Sequence, residues 1–216
     1  MVDEIVGFDP EKVDKPSDYD ARIPMCSLPL KLGLKSPMDA PNEPWMIIPK
    51  SYMSESKPSP RIRRVGLCWR GNPDFSDDVL RSFQDVNMLQ AISMQGVDYY
   101  SLLPDDAKDN LPSWIHPREY TDPWEEERPA LDPWIITMNL IDSMDVVITT
   151  CTSIAHLAGA MGKETWLMVS RPCYFLWPRE GSVTPLYPSM RIFRQHTPGD
   201  WDSCLRDVFN ELGDRS

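Results

Sequence analysis

The sequence predicts an α/β fold: a Rossmann-like parallel sheet flanked by helices, preceded by an extended proline-rich segment. Three observations predict it. After residue 61, short β-branched apolar runs alternate with stretches of helical periodicity, the rhythm of βαβ units. Within 145–149 the run Val146-Val147-Ile148 has the composition of a strand buried on both faces, and it passes through Thr150, Cys151, Thr152 and Ser153 into a small-residue helix. The first sixty residues, by contrast, hold ten of the 22 prolines. Proline at that density breaks helices and central strands, so residues 1–60 are expected as an irregular layer that makes no core of its own.

In chain order, residues 1–60 carry only short apolar clusters, Ile5-Val6 and Trp45-Met46-Ile47-Ile48, and 51–60 reads as a linker. The domain is expected over 61–216. Val65-Gly66-Leu67-Cys68-Trp69 makes a first strand, and Arg70-Gly71-Asn72-Pro73 a turn at its carboxyl end. Asp77-Asp78-Val79-Leu80-Arg81-Ser82 then leads to a helix that carries Val86, Leu89 and Ile92 on one face and stops at Gly96. Residues 97–103 form a second strand. The acidic, proline-broken stretch 105–130 is expected to hold a short strand and an irregular loop. A helix from Asp132, with Ile135, Ile136, Met138, Leu140 and Ile141, leads to the central strand and its helix. Thr165-Trp166-Leu167-Met168-Val169 follows as a strand, then an aromatic loop, then a last short strand over 190–193. Asp200 caps a final helix with Trp201, Leu205, Val208, Phe209 and Leu212 at helical spacing, ended by Gly213.

Composition excludes several functions. Lys and Arg total 22 against 33 Asp and Glu, a net charge of −11. General nucleic-acid or anionic-membrane binding needs the opposite balance. Five scattered cysteines without C-x-x-C spacing read as reduced thiols of a cytoplasmic protein, and three histidines are too few for a histidine metal cluster. Asp3 and Glu4 without an apolar run argue against a signal peptide, and no stretch is long enough to span a bilayer.

The chemistry-bearing residues fall at strand carboxyl ends, where open α/β sheets bind ligands. The N-terminus of the helix after the central strand offers unpaired N–H groups and the positive end of a dipole, a ready site for phosphate. Thr152 and Ser153 add hydroxyls, or alternatively only cap the helix, and His156 lies one turn on. Arg70, Gly71 and Asn72 follow the first strand and Arg81 begins the next helix. Two arginines with a helix N-terminus suit a diphosphate, although either arginine could equally be an ion-paired surface residue. Neither G-x-G-x-x-G nor a P-loop motif occurs. Cys151 at a helix start offers a distant second chemistry, a cysteine-dependent hydrolase.

Five blocks carry a family resemblance. They are Val65-Gly66-Leu67-Cys68-Trp69-Arg70-Gly71-Asn72-Pro73, Asp78 with Arg81-Ser82, and Asp145-Val146-Val147-Ile148; then Thr152-Ser153-Ile154-Ala155-His156-Leu157-Ala158-Gly159-Ala160 with Gly162-Lys163, and 187–195. In order and spacing they resemble the carboxyl-terminal half of tetratricopeptide-linked GT-B glycosyltransferases, relatives of ADP-heptose transferases and more distantly of O-GlcNAc transferase. Residues 19–34 resemble the tail of that family's amino-terminal domain. The resemblance implies a donor domain for a nucleotide-diphosphate sugar, needing no cofactor and no metal. In it Thr152, Ser153 and His156 meet the diphosphate, Arg81 matches the family's phosphate-binding cation, and Arg70 lines the same cleft. Cys151 stands where the family usually has Asp, Ile136 where Asp commonly precedes Thr137, and Phe175-Leu176-Trp177 where Trp-Arg-Trp is usual. The implied function is a sugar transferase of hexosyl, heptosyl or pentosyl type, or its donor-binding subunit. A partner chain or a second copy would supply the missing amino-terminal half, with the acceptor site and base. The alternative is a non-catalytic nucleotide-binding or interaction module.

Overall fold

A computed structural model describes residues 31–35, 39, 43–49, 53, 62–103, 111–118 and 133–214. The Ile5-Val6 cluster, nearly all of the 51–60 linker and the acidic run from Asp122 to Glu127 lie outside the described residues. The chain divides into two compact units, 1–40 and 41–216. In the first, the described residues form a turn at Gly33, followed by a bond from the Lys35 amide to Asp39 Oδ2 at 2.8 Å.

The second unit holds a six-stranded, wholly parallel sheet. Its elements are β1 (Arg63–Cys68), α1 (Asp78–Arg81), a 3-10 helix (Val86–Ile92), β2 (Val97–Ser101), β3 (Ile115–His116) and α2 (Pro133–Asp142). Then come β4 (Val146–Thr150), α3 (Ser153–Ala160), β5 (Thr165–Val169), β6 (Met190–Arg194) and α4 (Trp201–Asp214). Spatial order is β3-β2-β1-β4-β5-β6, so the chain builds outward from β1 in one direction, then returns to β4 and builds in the other. Right-handed crossovers in opposite directions put their helices on opposite faces. Accordingly α2 packs with α3, whereas α4 packs with the 3-10 helix and β6.

Composition explains the placement. Every residue of β4 and β5 is buried, as their apolar runs require of central strands covered on both faces. One core gathers Val65, Leu67, Ile141, Val146, Trp166, Leu205 and Val208. A smaller one under the β5–β6 connection holds Cys151, Ala155, Val169, Trp177 and Ile192. Residues 43–49 have no regular secondary structure, and the Trp45 and Met46 amides both donate to the Ala160 carbonyl at the end of α3.

Two elements depart from expectation. The single helix anticipated after β1 is a four-residue α1 followed by a separate 3-10 helix. Short polar side chains divide it: Ser82 adopts extended backbone and accepts the Gly71 amide on its Oγ, and Asp85 accepts the Asn87 amide to start the 3-10 turn. Gly213 does not end α4, which runs to Asp214; Asp200 does cap it, accepting the Ser203 amide at 3.0 Å.

Candidate functional site

A cleft of about 520 Å³ opens at the carboxyl edge of the sheet, where the order reverses between β1 and β4. Neighbouring strands there send their connections to opposite faces and leave a crevice between them, the place where ligands enter such sheets. Three connections and a helix start line it: Cys68 at the end of β1 and Arg70–Pro73 after it, Leu102 and Leu103 after β2, Thr152–Ile154 after β4, and Pro133, Trp134 and Thr137 of α2. Arg118, just beyond β3, completes the wall.

The β1 loop is held by its own backbone. The Gly71 amide donates to Ser82 Oγ at 2.9 Å, and the Asp74 amide to Asn72 Oδ1 at 3.0 Å, a local turn that a short amide side chain makes readily. Gly71 is required by space: a Cβ there would sit 2.7 Å from Arg81 Nη2 and also strike Asp78.

At the start of α3, Thr152 occupies the N-cap position with extended backbone, yet its side chain makes no cap bond. Its hydroxyl lies instead 3.2 Å from Thr149 Oγ1 and 3.6 Å from the Cys68 thiol, in a buried polar chain beneath the cleft. A capping hydroxyl would have consumed one of the first-turn N–H groups. The first-turn amides of Ser153 and Ile154 are thus left without a capping side chain at the cleft wall. Burial pushes the Cys68 thiol up from its ordinary value, so it stays a neutral hydrogen-bonding group.

Of the residues anticipated from sequence, Arg70, Gly71, Asn72, Thr152 and Ser153 therefore line one cleft. Arg81 and His156 are placed beside it and turned to other partners. Arg81 bonds Asp78 Oδ1 through Nε at 3.0 Å and the Cys151 carbonyl through Nη1 at 3.0 Å, with its guanidinium carbon 4.4 Å from the centre of the Phe75 ring. It thus ties the β1 loop to the turn after β4. His156 Nδ1 lies 3.1 Å from the Tyr187 hydroxyl, and its ring stacks on Trp177 at 5.0 Å between centroids and 17° between planes. Burial lowers its pKa, so the imidazole is neutral at neutral pH. The Cys151 thiol, the nucleophile of the hydrolase alternative, is buried, pushed upward by that burial and bonded by the Trp177 indole N–H at 3.1 Å. That is the setting of an inert thiol.

Sequence reasoning missed Arg118 and Trp134. Arg118 Nη2 donates to Thr137 Oγ1 at 2.8 Å and to the Pro133 carbonyl at 3.3 Å, and Thr137 Oγ1 itself donates to that carbonyl at 2.7 Å. A cation is thereby fixed against the first turn of α2. The one available signal was the Asp-Pro-Trp at the helix start, since an aromatic residue there stands at the same sheet edge as the β4 turn. Among the described residues no cluster of three or more His, Cys, Asp or Glu could hold a metal ion, and no helix is long and apolar enough to cross a membrane.

No protein-family model and no curated protein matches the chain. Two solved structures are similar to it. One is the E. coli heptosyltransferase WaaC with ADP, at TM-score 0.48 and 8% identity over 74% of this chain and 46% of that one. The other is the E. coli ADP-heptose lipopolysaccharide heptosyltransferase II, at TM-score 0.43 and 12% identity over 73% and 49%. The chain spans about half the length of these structures.

Proposed function

We propose that the chain is the donor-binding half of a glycosyltransferase and holds a nucleotide-diphosphate sugar in the β1–β4 cleft. One observation carries the reading: an α3 N-terminus with no side-chain cap faces a cleft that also holds Arg70 and lies where the strand order reverses. The family resemblance of the five sequence blocks points the same way. In the reaction a bond forms between an acceptor oxygen and the anomeric carbon as the bond from that carbon to the diphosphate breaks, and the electron pair leaves with the diphosphate. Negative charge grows on the phosphate oxygens. Fixed N–H groups and the Arg70 guanidinium aimed at those oxygens stabilise the transition state more than the ground state. In this reading Arg81 works one step removed, by holding the Gly71 loop against the Cys151 turn, and His156 by fixing the aromatic wall behind α3.

The polar side chains lining the described cleft are those of Cys68, Arg70, Asn72, Arg118, Thr137, Thr152 and Ser153. Two guanidiniums among hydrogen-bonding groups make a set suited to an anion. The family resemblance puts the base that takes the acceptor's proton in the family's amino-terminal half, supplied by a partner chain or a second copy. The same inventory favours a second reading, a nucleotide-binding module that does no chemistry. Incubation with UDP-, GDP- and ADP-sugars, following release of the free diphosphate, separates the two. Release that Arg70→Ala abolishes supports the enzyme; tight binding without release from any donor, alone or with cell extract, supports the module.

A further inference from the structure

The cleft is chemically two-sided. Arg70, Gly71, Asn72, Thr152 and Ser153 form its polar side over β1 and β4, whereas Leu102, Leu103, Pro133 and Trp134 form a mainly apolar side towards β2, with Arg118 and Thr137 as its polar members. A ligand seated by its phosphates at α3 extends past the end of β1 to the end of β2, two strand spacings or about 10 Å. Trp134 is 51% exposed, while Trp69, Trp166, Trp177 and Trp201 are all buried, Trp177 at 2%. A large aromatic face left half in water on a cleft wall gains by being covered. Its mounting is rigid, because Arg118 and Thr137 both bond the Pro133 carbonyl and brace the first turn of α2. Little ordering therefore remains to be done when a ring lands on the indole.

The geometry points to Trp134 as a specificity-determining residue, the stacking platform for the planar base of a nucleoside diphosphate, with Arg118 as the positioning residue that holds its helical turn. This assignment rests on the donor-binding reading and adds to it the feature that separates a nucleotide from a bare diphosphate or a sugar phosphate.

The test compares UDP, GDP, ADP and the matching nucleotide sugars with inorganic pyrophosphate, by calorimetry, in the wild-type chain, Trp134→Ala, Trp134→Phe and Arg118→Met. Base–aromatic stacking lost on truncation weakens binding about tenfold or more. Trp134→Ala is expected to weaken the preferred nucleoside diphosphate by about that factor and leave pyrophosphate unchanged, and Trp134→Phe to keep most of the affinity. Arg118→Met is expected to copy Trp134→Ala in direction and to a smaller extent. Equal losses for nucleotide and pyrophosphate, or none for either, overturn the assignment and leave the anion site standing. A loss confined to nucleotide sugars overturns it in favour of a sugar ring on the indole. A wild-type chain that binds neither pyrophosphate nor nucleotide removes the donor-binding reading and this assignment together.

Discussion

Gly159 shows how closely single residues set the region behind the cleft. It lies in the helix whose first turn faces the cleft, and a Cβ there would stand 2.5 Å from Tyr187 Cγ. Because Tyr187 also bonds His156, the ring cannot retreat without breaking that pair. Gly159→Ala is expected to lower stability by about 1–3 kcal/mol, the usual range for overpacking, as read by urea denaturation. His156 gives a pH signature. Its folded pKa is depressed by burial, so the unfolded chain takes up the proton first. The stability it contributes is full above its ordinary pKa and is lost as pH falls through that value and on through the lowered one. Its hydrogen-bond partner Tyr187 and the nearby Cys151 thiol are both pushed up by burial and stay neutral through this range. The melting temperature should therefore fall between about pH 7 and pH 5 more steeply in the wild type than in His156→Gln, in which this imidazole is absent. Arg81 and His156 illustrate the limit of reading side chains from sequence. Arg81 ends α1 and His156 lies in α3, as their sequence blocks suggest, but the direction of each side chain follows long-range partners, the Cys151 carbonyl 70 residues away and Tyr187 31 residues away.

At the scale of elements, β4 and β5 were legible because burial on both faces demands continuous runs of apolar and β-branched residues, whereas β2 and β6, VDYYS and MRIFR, mix buried with half-buried positions and were legible from their aromatic and β-branched residues between turns. The helix after β1 was not, because the hydroxyl of Ser82 and the carboxylate of Asp85 satisfy backbone amides locally and break the periodicity into two short turns. The junction of α2 with β4 depends on Lys163, far along the chain. Its ammonium donates to the Asp142 carbonyl at 2.8 Å and the Met144 carbonyl at 2.7 Å, closing the C-terminal end of α2 where carbonyls lack helical partners. Lys163→Met is expected to cost about 1–3 kcal/mol in denaturant unfolding, since two charge-assisted bonds are lost, the one to the Met144 carbonyl being partly buried. A cap of this kind orients the helix whose opposite end carries Trp134, so nucleotide affinity should fall modestly in the same variant.

For the molecule as a whole, parallel topology turns separate sequence blocks into one site. The loop after β1, the loop after β2 and the turn after β4 lie far apart in sequence and meet only because their strands run the same way and the order reverses between β1 and β4. That convergence was readable, since βαβ rhythm implies parallel strands and parallel strands share a carboxyl edge. Arg118 and Trp134 were not, because their arrival depends on where the β3 edge and α2 come to rest, which local sequence does not encode. The most direct test of the central claim, that the uncapped α3 start and Arg70 hold a diphosphate, is calorimetric titration of the intact chain with UDP, GDP and ADP, repeated in Arg70→Ala. Saturable one-to-one binding of at least one of them, weakened about tenfold or more by the substitution and falling with added salt, is the predicted result. Binding of none, or binding that Arg70→Ala leaves untouched, would contradict it.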